Sequence, residues 1–342
     1  MNFVRKCFII IFVLLLFDLR RFMRELKINK NDAGQRLDKF ITKTLDLPMS
    51  LLYKSIRLKK IKVNRKRAEA NTVLSEGDTV QCFLAESFFE ERLDDCAEYE
   101  SIKPHLDIIY EDENIILLNK RPGVSVHEDE HTKTNTLITH IIAYLYQKGE
   151  YNPKQEQSFT PALCNRIDRN TGGIVIAAKC AEALRIMNEK IKTREIDKFY
   201  LAAIHGIPEK EKDTLKGFLL KDERTKTVKV YTKNPPKNAK SIVTKYRVIA
   251  KRGDSSLIEV ELLTGRTHQI RAHMASIGHP LIGDGKYGKN KSDKEAGYKY
   301  QALYSYKLRF SFKGEPTSLD YLNGKEFKIN KRDIYFTEDY FS

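Results

Sequence analysis

Cysteine is scarce in this 342-residue chain, and no two cysteines are spaced to work together. The five, at positions 7, 82, 96, 164 and 180, are odd in number and include no Cys-x-x-Cys. That excludes a disulfide framework and a zinc knuckle and points to a reducing cytoplasm. There is no internal repeat, no low-complexity segment, no Gly-x-Ser-x-Gly elbow and no Walker loop, so a solenoid, a serine hydrolase of that type and a P-loop enzyme all drop out. Long apolar runs are missing too. The apolar run at 7–17, behind Arg5 and Lys6, falls short of the roughly 20 residues that a membrane-spanning helix needs, and no small-residue cleavage site follows it. Residues 1–22 are expected to be an apolar extension ahead of a physiological start at Met23, with a signal anchor as the alternative.

Acid is also in deficit. Against 61 Lys and Arg stand 46 Asp and Glu, a formal charge of +15. A polyanion is the expected partner, nucleic acid before an anionic membrane.

Taken in order, the chain divides by composition. Residues 24–84 form a small basic unit: a strand around Leu26, a helix with Leu37, Phe40 and Ile41 on one face, and a second helix opened by Pro48. Lys54, Arg57, Lys59, Lys60 and Lys62 follow, running into a strand at Ile61 and Val63 and a turn of Arg65, Lys66 and Arg67. One-signed charge at such spacing makes a stripe for a phosphate backbone, with an ordinary solvated face as the plainer alternative. Helix, helix, then KKIKVN and EGDTV resembles the alpha-L RNA-binding fold. In 85–104 the sign inverts through Glu90, Glu91, Asp94 and Asp95, as in a linker that phosphates avoid. From 105 to 330 strands outnumber helices and short polar turns join them, so a largely antiparallel α+β sheet is expected.

Two motifs are declined. His127 and His131 match His-Glu-x-x-His, but they follow Pro122, Gly123 and an alternating Val124, Ser125, Val126, which reads as a strand running into a loop, whereas a zinc protease needs a helix there. Gly283, Gly285 and Gly288 match Gly-x-Gly-x-x-Gly without the strand, helix and distal acid of a dinucleotide site, so they read as tight-turn glycines.

Functional residue types concentrate in three places. NRIDRNTGGIVIAAK, at 165–179, sets Asp168 between Arg166 and Arg169, just before a buried strand through Ile174, Val175 and Ile176. Cations within a few ångströms favour the ionised form of a carboxylate by about one to three pKa units, which suits Asp168 to a nucleophile better than to a proton donor. DKFYLA carries Tyr200 in an alternating strand. LTGRTHQIRAH carries Arg266, His268, Arg271 and His273; five residues apart, the two histidines do not share a helical face as metal ligands would.

Together these strings resemble the RluA-type pseudouridine synthases over nearly all of 105–312. The resemblance implies the α+β pseudouridine-synthase fold, a largely antiparallel mixed sheet flanked by helices, behind a small N-terminal alpha-L RNA-binding domain. It implies that Asp168 is the catalytic aspartate, that Tyr200 packs on the target base, and that Arg271 pairs with Asp168. Arg166 would hold the flipped nucleotide, and Arg266 would contact RNA. Asn165, Ile167, Asn170 and Gly172 depart from the family string HRLDxxTSG. Isomerising uridine involves no net oxidation or hydrolysis, so no cofactor and no metal are expected. The expected substrate is ribosomal RNA, large subunit first, and the expected state a monomer. A non-catalytic RNA-binding or ribosome-assembly factor on the same fold, or a zinc hydrolase using His127 and His131, would be the alternatives.

Overall fold

The computed structural model describes residues 23–45, 47–89, 95–126, 135–288 and 291–341. The apolar run at 7–17 and the His127 to His131 motif lie outside them. The chain divides into two compact units. The first holds the described residues up to Ile102 together with Leu145–Thr160; the second holds Lys103–Tyr144 and the residues from Pro161 onward.

In the first unit, β1 (Met23–Lys27) precedes α1 (Leu37–Thr44) and α2 (Met49–Arg57), and β2 (Ile61–Val63), β3 (Lys66–Arg67) and β4 (Thr79–Phe83) complete a sheet in the order β1-β4-β2-β3. The apolar spacing i, i+3, i+4 puts Leu37, Phe40 and Ile41 at 0% exposure in α1, and Pro48 stands at the N-cap of α2, where a missing N–H costs nothing. Asn64 and Arg65 take positive φ to turn β2 into β3.

The acidic stretch is not the bare linker its charge suggests. Phe88 and Phe89 pack on the core of the first unit, and α3 (Asp95–Ser101) follows. The carbonyls of Tyr99 and Ile102 accept from Gln147 Nε2 at 2.9 and 2.7 Å. Residues 145–160 also return to this unit. Ser158 Oγ donates to the buried Asp32 at 2.6 Å and accepts from Gln35 at 2.7 Å. These bonds join positions more than a hundred residues apart, which no local pattern announces.

The second unit contains β5 (Ile108–Glu111), β6 (Ile115–Lys120), α4 (Leu137–Gln147, whose last residues belong to the first unit), β7 (Ala162–Leu163), β8 (Gly172–Ala178) and α5 (Ala181–Lys192). It continues through β9 (Ile196–His205), β10 (Lys212–Asp222), β11 (Thr227–Tyr231), β12 (Lys240–Arg252), β13 (Ser255–Leu262) and α6 (Gln269–Ser276). Then come α7 (Lys291–Glu295), β14 (Leu303–Phe310), β15 (Glu326–Lys328) and α8 (Glu338–Phe341). Among the described residues these strands make one sheet, ordered β11-β10-β12-β13-β9-β14-β8-β6-β5, with β15 on β14 and β7 on β8. Only β14 and β8 run parallel, so the sheet is mixed and largely antiparallel, as expected. One local expectation fails. Val124 to Val126 is not a strand; the carbonyls of Ser125 and Val126 instead accept the first N–H groups of α4. In β10, side chains alternate between exposed and half-buried from Lys212 to Lys216, and Leu219 is buried.

β8 is an interior strand of this sheet. Every one of its residues is buried, because β14 and β6 flank it and the unit's apolar core covers it. Its two glycines are required by space. A Cβ on Gly172 would stand 2.3 Å from the Tyr304 ring, and one on Gly173, at φ +115°, 2.2 Å from the Ser305 carbonyl. The departure at 172 from the family's serine thus has a physical partner in Tyr304. Gly173→Ala is expected to destabilise the protein by about 2–4 kcal/mol in urea unfolding, since backbone must move. Gly253→Ala, also at positive φ but with nothing within 4 Å, should cost only about 1 kcal/mol. Equal losses would refute this account of β8.

Candidate active site

The loop that enters β8 and the N-terminal end of α6 face one another across a cleft of about 700 Å³ in the second unit. Asp168, Tyr200, Arg271, Arg166 and Arg266 all line it, so five of the ten residues singled out from sequence come together. The other five, Lys54, Arg57, Lys59, Lys60 and Lys62, belong to the first unit. Four of them are exposed and Lys62 is half-buried beside the Phe83 ring.

The loop is held from several sides. Asn165 Oδ1 accepts the Ile176 N–H at 2.7 Å, and Thr171 N–H closes a turn onto the Asp168 carbonyl at 3.0 Å. Arg169 Nε donates to the Gly123 carbonyl at 3.1 Å, and the Gly123 N–H returns to the Arg169 carbonyl at 2.9 Å. Lys120, 1% exposed, donates from Nζ to the carbonyls of Arg121, Val124 and Arg169 at 3.1, 3.0 and 2.9 Å. Three acceptors match the three protons of an ammonium. Burial pushes Lys120 down to about 7, with the charge of Asp168 opposing.

The cation that steadies Asp168 is therefore not its chain neighbour. Arg169 is turned to Gly123, and Arg166 is exposed with no carboxylate partner among the described residues. Arg271 does the work from α6. Its Nη1 donates to Asp168 Oδ2 at 3.0 Å, while Nε and Nη2 fork onto Asp284 at 2.7 and 2.8 Å. Asp284 is fully buried and also accepts the N–H groups of Lys286 and Tyr287 at 2.9 and 3.3 Å. Burial works against both charges, yet the pair outweighs it: Arg271 is raised and Asp284 lowered from their ordinary values. Asp168 keeps 27% of its side chain exposed, and among the described residues its Oδ1 takes no hydrogen bond from the protein.

Tyr200 comes to the cleft from β9, opposite Val260 and Ser305 in the sheet register. Burial pushes its phenol up to about 12, and the Asp168 charge adds to this. Lys198, two residues back, lines the same cleft and is lowered by burial. Gln269 ties the α6 end together, donating to the Val243 carbonyl and accepting the Arg266 N–H at 3.1 Å each. Lys120 and Asp284 are not among the residues that the sequence singles out. They lie in NKRPG and GDGKYG, where proline and glycine point to turns and mask the charged side chain. Among the described residues no cluster of His, Cys, Asp and Glu could hold a metal.

The model of the RNA pseudouridylate synthase family matches residues 114–276, which contain Asp168, Tyr200 and Arg271. The ribosomal large subunit pseudouridine synthase C of Vibrio parahaemolyticus is 31% identical over 285 residues, 82% of this chain and 85% of that one. An uncharacterized RNA pseudouridine synthase of Mycoplasma genitalium is 33% identical over 299 residues, 85% and 90% of the two chains. This chain belongs to the RNA pseudouridylate synthases, the isomerases that convert uridine in RNA to pseudouridine, and the α+β unit around β8 is its pseudouridine-synthase fold.

His273, 2% exposed, points away from this chemistry and bonds Thr244 Oγ1 at 2.9 Å through Nδ1. Burial pushes its imidazole down to about 4. A lowered histidine stays neutral in the fold while the unfolded chain takes up a proton, so its contribution is present above about pH 6.5 and lost as pH falls towards 4. The thermal midpoint is expected to drop across that window, by an amount worth up to roughly 3 kcal/mol, and to drop less in His273→Gln. Identical acid profiles for the two proteins would contradict the assignment.

Proposed function

We propose that this enzyme isomerises uridines of large-subunit ribosomal RNA, with Asp168 as the nucleophile. The observation that carries the reading is the division of labour at one carboxylate that lines the cleft: Oδ2 is held by Arg271 at 3.0 Å, and Oδ1 has no protein donor among the described residues. The choice of RNA is supported by relatives named for the ribosomal large subunit.

The chemistry follows from the groups present. The target base leaves its stack at a cost of a few kcal/mol, which contacts to the surrounding RNA offset. Arg166 and Arg266, both exposed and unpaired among the described residues, suit phosphate contacts beside the cleft. Tyr200 offers a flat face for the everted base. With its phenol pushed up to about 12, Tyr200 enters the reaction as a proton carrier, not as an acceptor. Attack by Asp168 opens the route to breaking the bond between sugar and ring nitrogen; the base turns and rejoins through a ring carbon as Asp168 is released, and the proton lost from that carbon is balanced by one gained at the freed ring nitrogen. The residues Lys54, Arg57, Lys59, Lys60 and Lys62 serve as a sequence-independent grip on the backbone. Two of the cysteines are buried free thiols, Cys82 and Cys164, in keeping with a cytoplasmic enzyme, which we take to act as a monomer.

In a strain lacking the gene, pseudouridines should be missing from large-subunit ribosomal RNA, and the wild-type gene should restore them. Asp168→Asn should not, its rate falling at least about a thousand-fold. Pseudouridine mapping that finds the large-subunit pattern intact in the deletion strain would overturn the choice of RNA, and restoration by Asp168→Asn would overturn the nucleophile.

A further inference from the structure

His268 touches the reacting carboxylate and has no part in the reading above. It stands at the N-cap of α6 with φ +53°, yet makes no capping hydrogen bond. A left-handed backbone costs a residue with a Cβ roughly 1–2 kcal/mol, so the side chain is held here against a local penalty. Its Nδ1 lies 2.9 Å from the Tyr287 hydroxyl, and its Nε2 lies 3.8 Å from Asp168 Oδ2. The Tyr287 hydroxyl in turn accepts the Val228 N–H at 2.9 Å, from the β10–β11 hairpin.

The charge of Asp168 selects between the tautomers that these contacts allow. A phenol has one proton to give and two lone pairs to accept with. With Val228 donating to one of them, the Tyr287 proton is still available to His268 Nδ1. An imidazole that accepts at Nδ1 carries its own proton on Nε2, the nitrogen turned towards Asp168, and the carboxylate's charge favours the same arrangement. A separation of 3.8 Å is longer than a hydrogen bond, and catalytic bonds of this kind are often long before substrate is bound.

We propose that His268 is a positioning residue: neutral, protonated on Nε2, it donates to Asp168 Oδ2 when substrate closes the gap, and Tyr287 holds it in that tautomer. This rests on Asp168 being the nucleophile. Arg271 and His268 then grip the same oxygen from two directions, which leaves Oδ1 alone to attack. The charged and titratable groups facing the imidazole are Asp168, Asp284, Arg271, Lys286 and Tyr287. Burial holds the imidazole below its ordinary value, against Asp168 and Asp284 and together with Arg271 and Lys286. Protonation at Nδ1 on the acid side breaks the bond from Tyr287.

The test uses the full chain and a transcript of large-subunit ribosomal RNA, with single-turnover rate and RNA affinity measured separately across pH. Tyr287→Phe keeps the ring beneath Arg271, whose guanidinium carbon lies 5.3 Å from the ring centroid, and removes the hydroxyl that meets His268 and Val228. Its rate is expected to fall about ten-fold with affinity unchanged. The acid limb of its rate profile should move to higher pH, because the neutral imidazole has lost the bond that stabilised it. His268→Leu should lose as much or more, and His268→Gln, whose amide can present an N–H at the same place, should recover most of the rate. A wild-type rate and acid limb in Tyr287→Phe, or equal rates in His268→Leu and His268→Gln, would overturn the inference while an inactive Asp168→Asn left the nucleophile standing. Turnover by Asp168→Asn would overturn both.

Discussion

A buried guanidinium shared between two carboxylates sets the terms for the rest of the catalytic unit. Taking the charge of Arg271 out of water costs several kcal/mol, and such a charge is tolerated only where its donors are met in good geometry. Asp284, at 0% exposure, takes the two-pronged side of the fork and is itself met by two backbone N–H groups. Asp168 receives only the remaining prong. The asymmetry leaves one carboxylate spent on structure and the other with an oxygen to spare. Arg271 reaches both only if α6 and the loop ahead of β8 are held in fixed register. Gln269 secures the first, and Lys120, Asn165 and the exchange between Arg169 and Gly123 secure the second.

The same arrangement reconciles a strongly basic protein with a carboxylate in its cleft. At +15 overall, the chain draws RNA from a distance, and Arg166 and Arg266 carry exposed positive charge to the mouth of the cleft. Inside, the positive charge is already committed. Arg271 is paired twice, and Lys120 is bonded to three carbonyls. Exposed positive charge therefore lines the cleft, while Asp168 keeps its own cation.

Much of this could be read from the sequence, because much of it is local. The β-branched run of Ile174, Val175 and Ile176 marks a buried strand, the spacing of Leu37, Phe40 and Ile41 marks a helix, and the strings around Asp168, Tyr200 and Arg271 mark the cleft. What could not be read depends on distant pairing. Arg166 and Arg169 flank Asp168 in the chain, but backbone geometry sends one to the rim and the other to Gly123, and the cation comes from a hundred residues away. Asp284 sits in a glycine-rich string that has to be rejected as a nucleotide motif, and its rejection hid a second role. The acidic stretch hid Phe88 and Phe89, which tie it to the first unit, and residues 145–160 rejoin that unit through bonds to residues as distant as Asn31, Asp32 and Gln35.

The dependence of the site on this shared guanidinium is tested most directly at Asp284, the fully buried carboxylate of the pair. Asp284→Asn preserves shape and removes the charge that fixes the fork. Single-turnover rate and RNA affinity should separate in that variant, the rate falling on the order of 100-fold as Arg271 loses its register with Asp168, with affinity unchanged. A wild-type rate in Asp284→Asn would contradict the account.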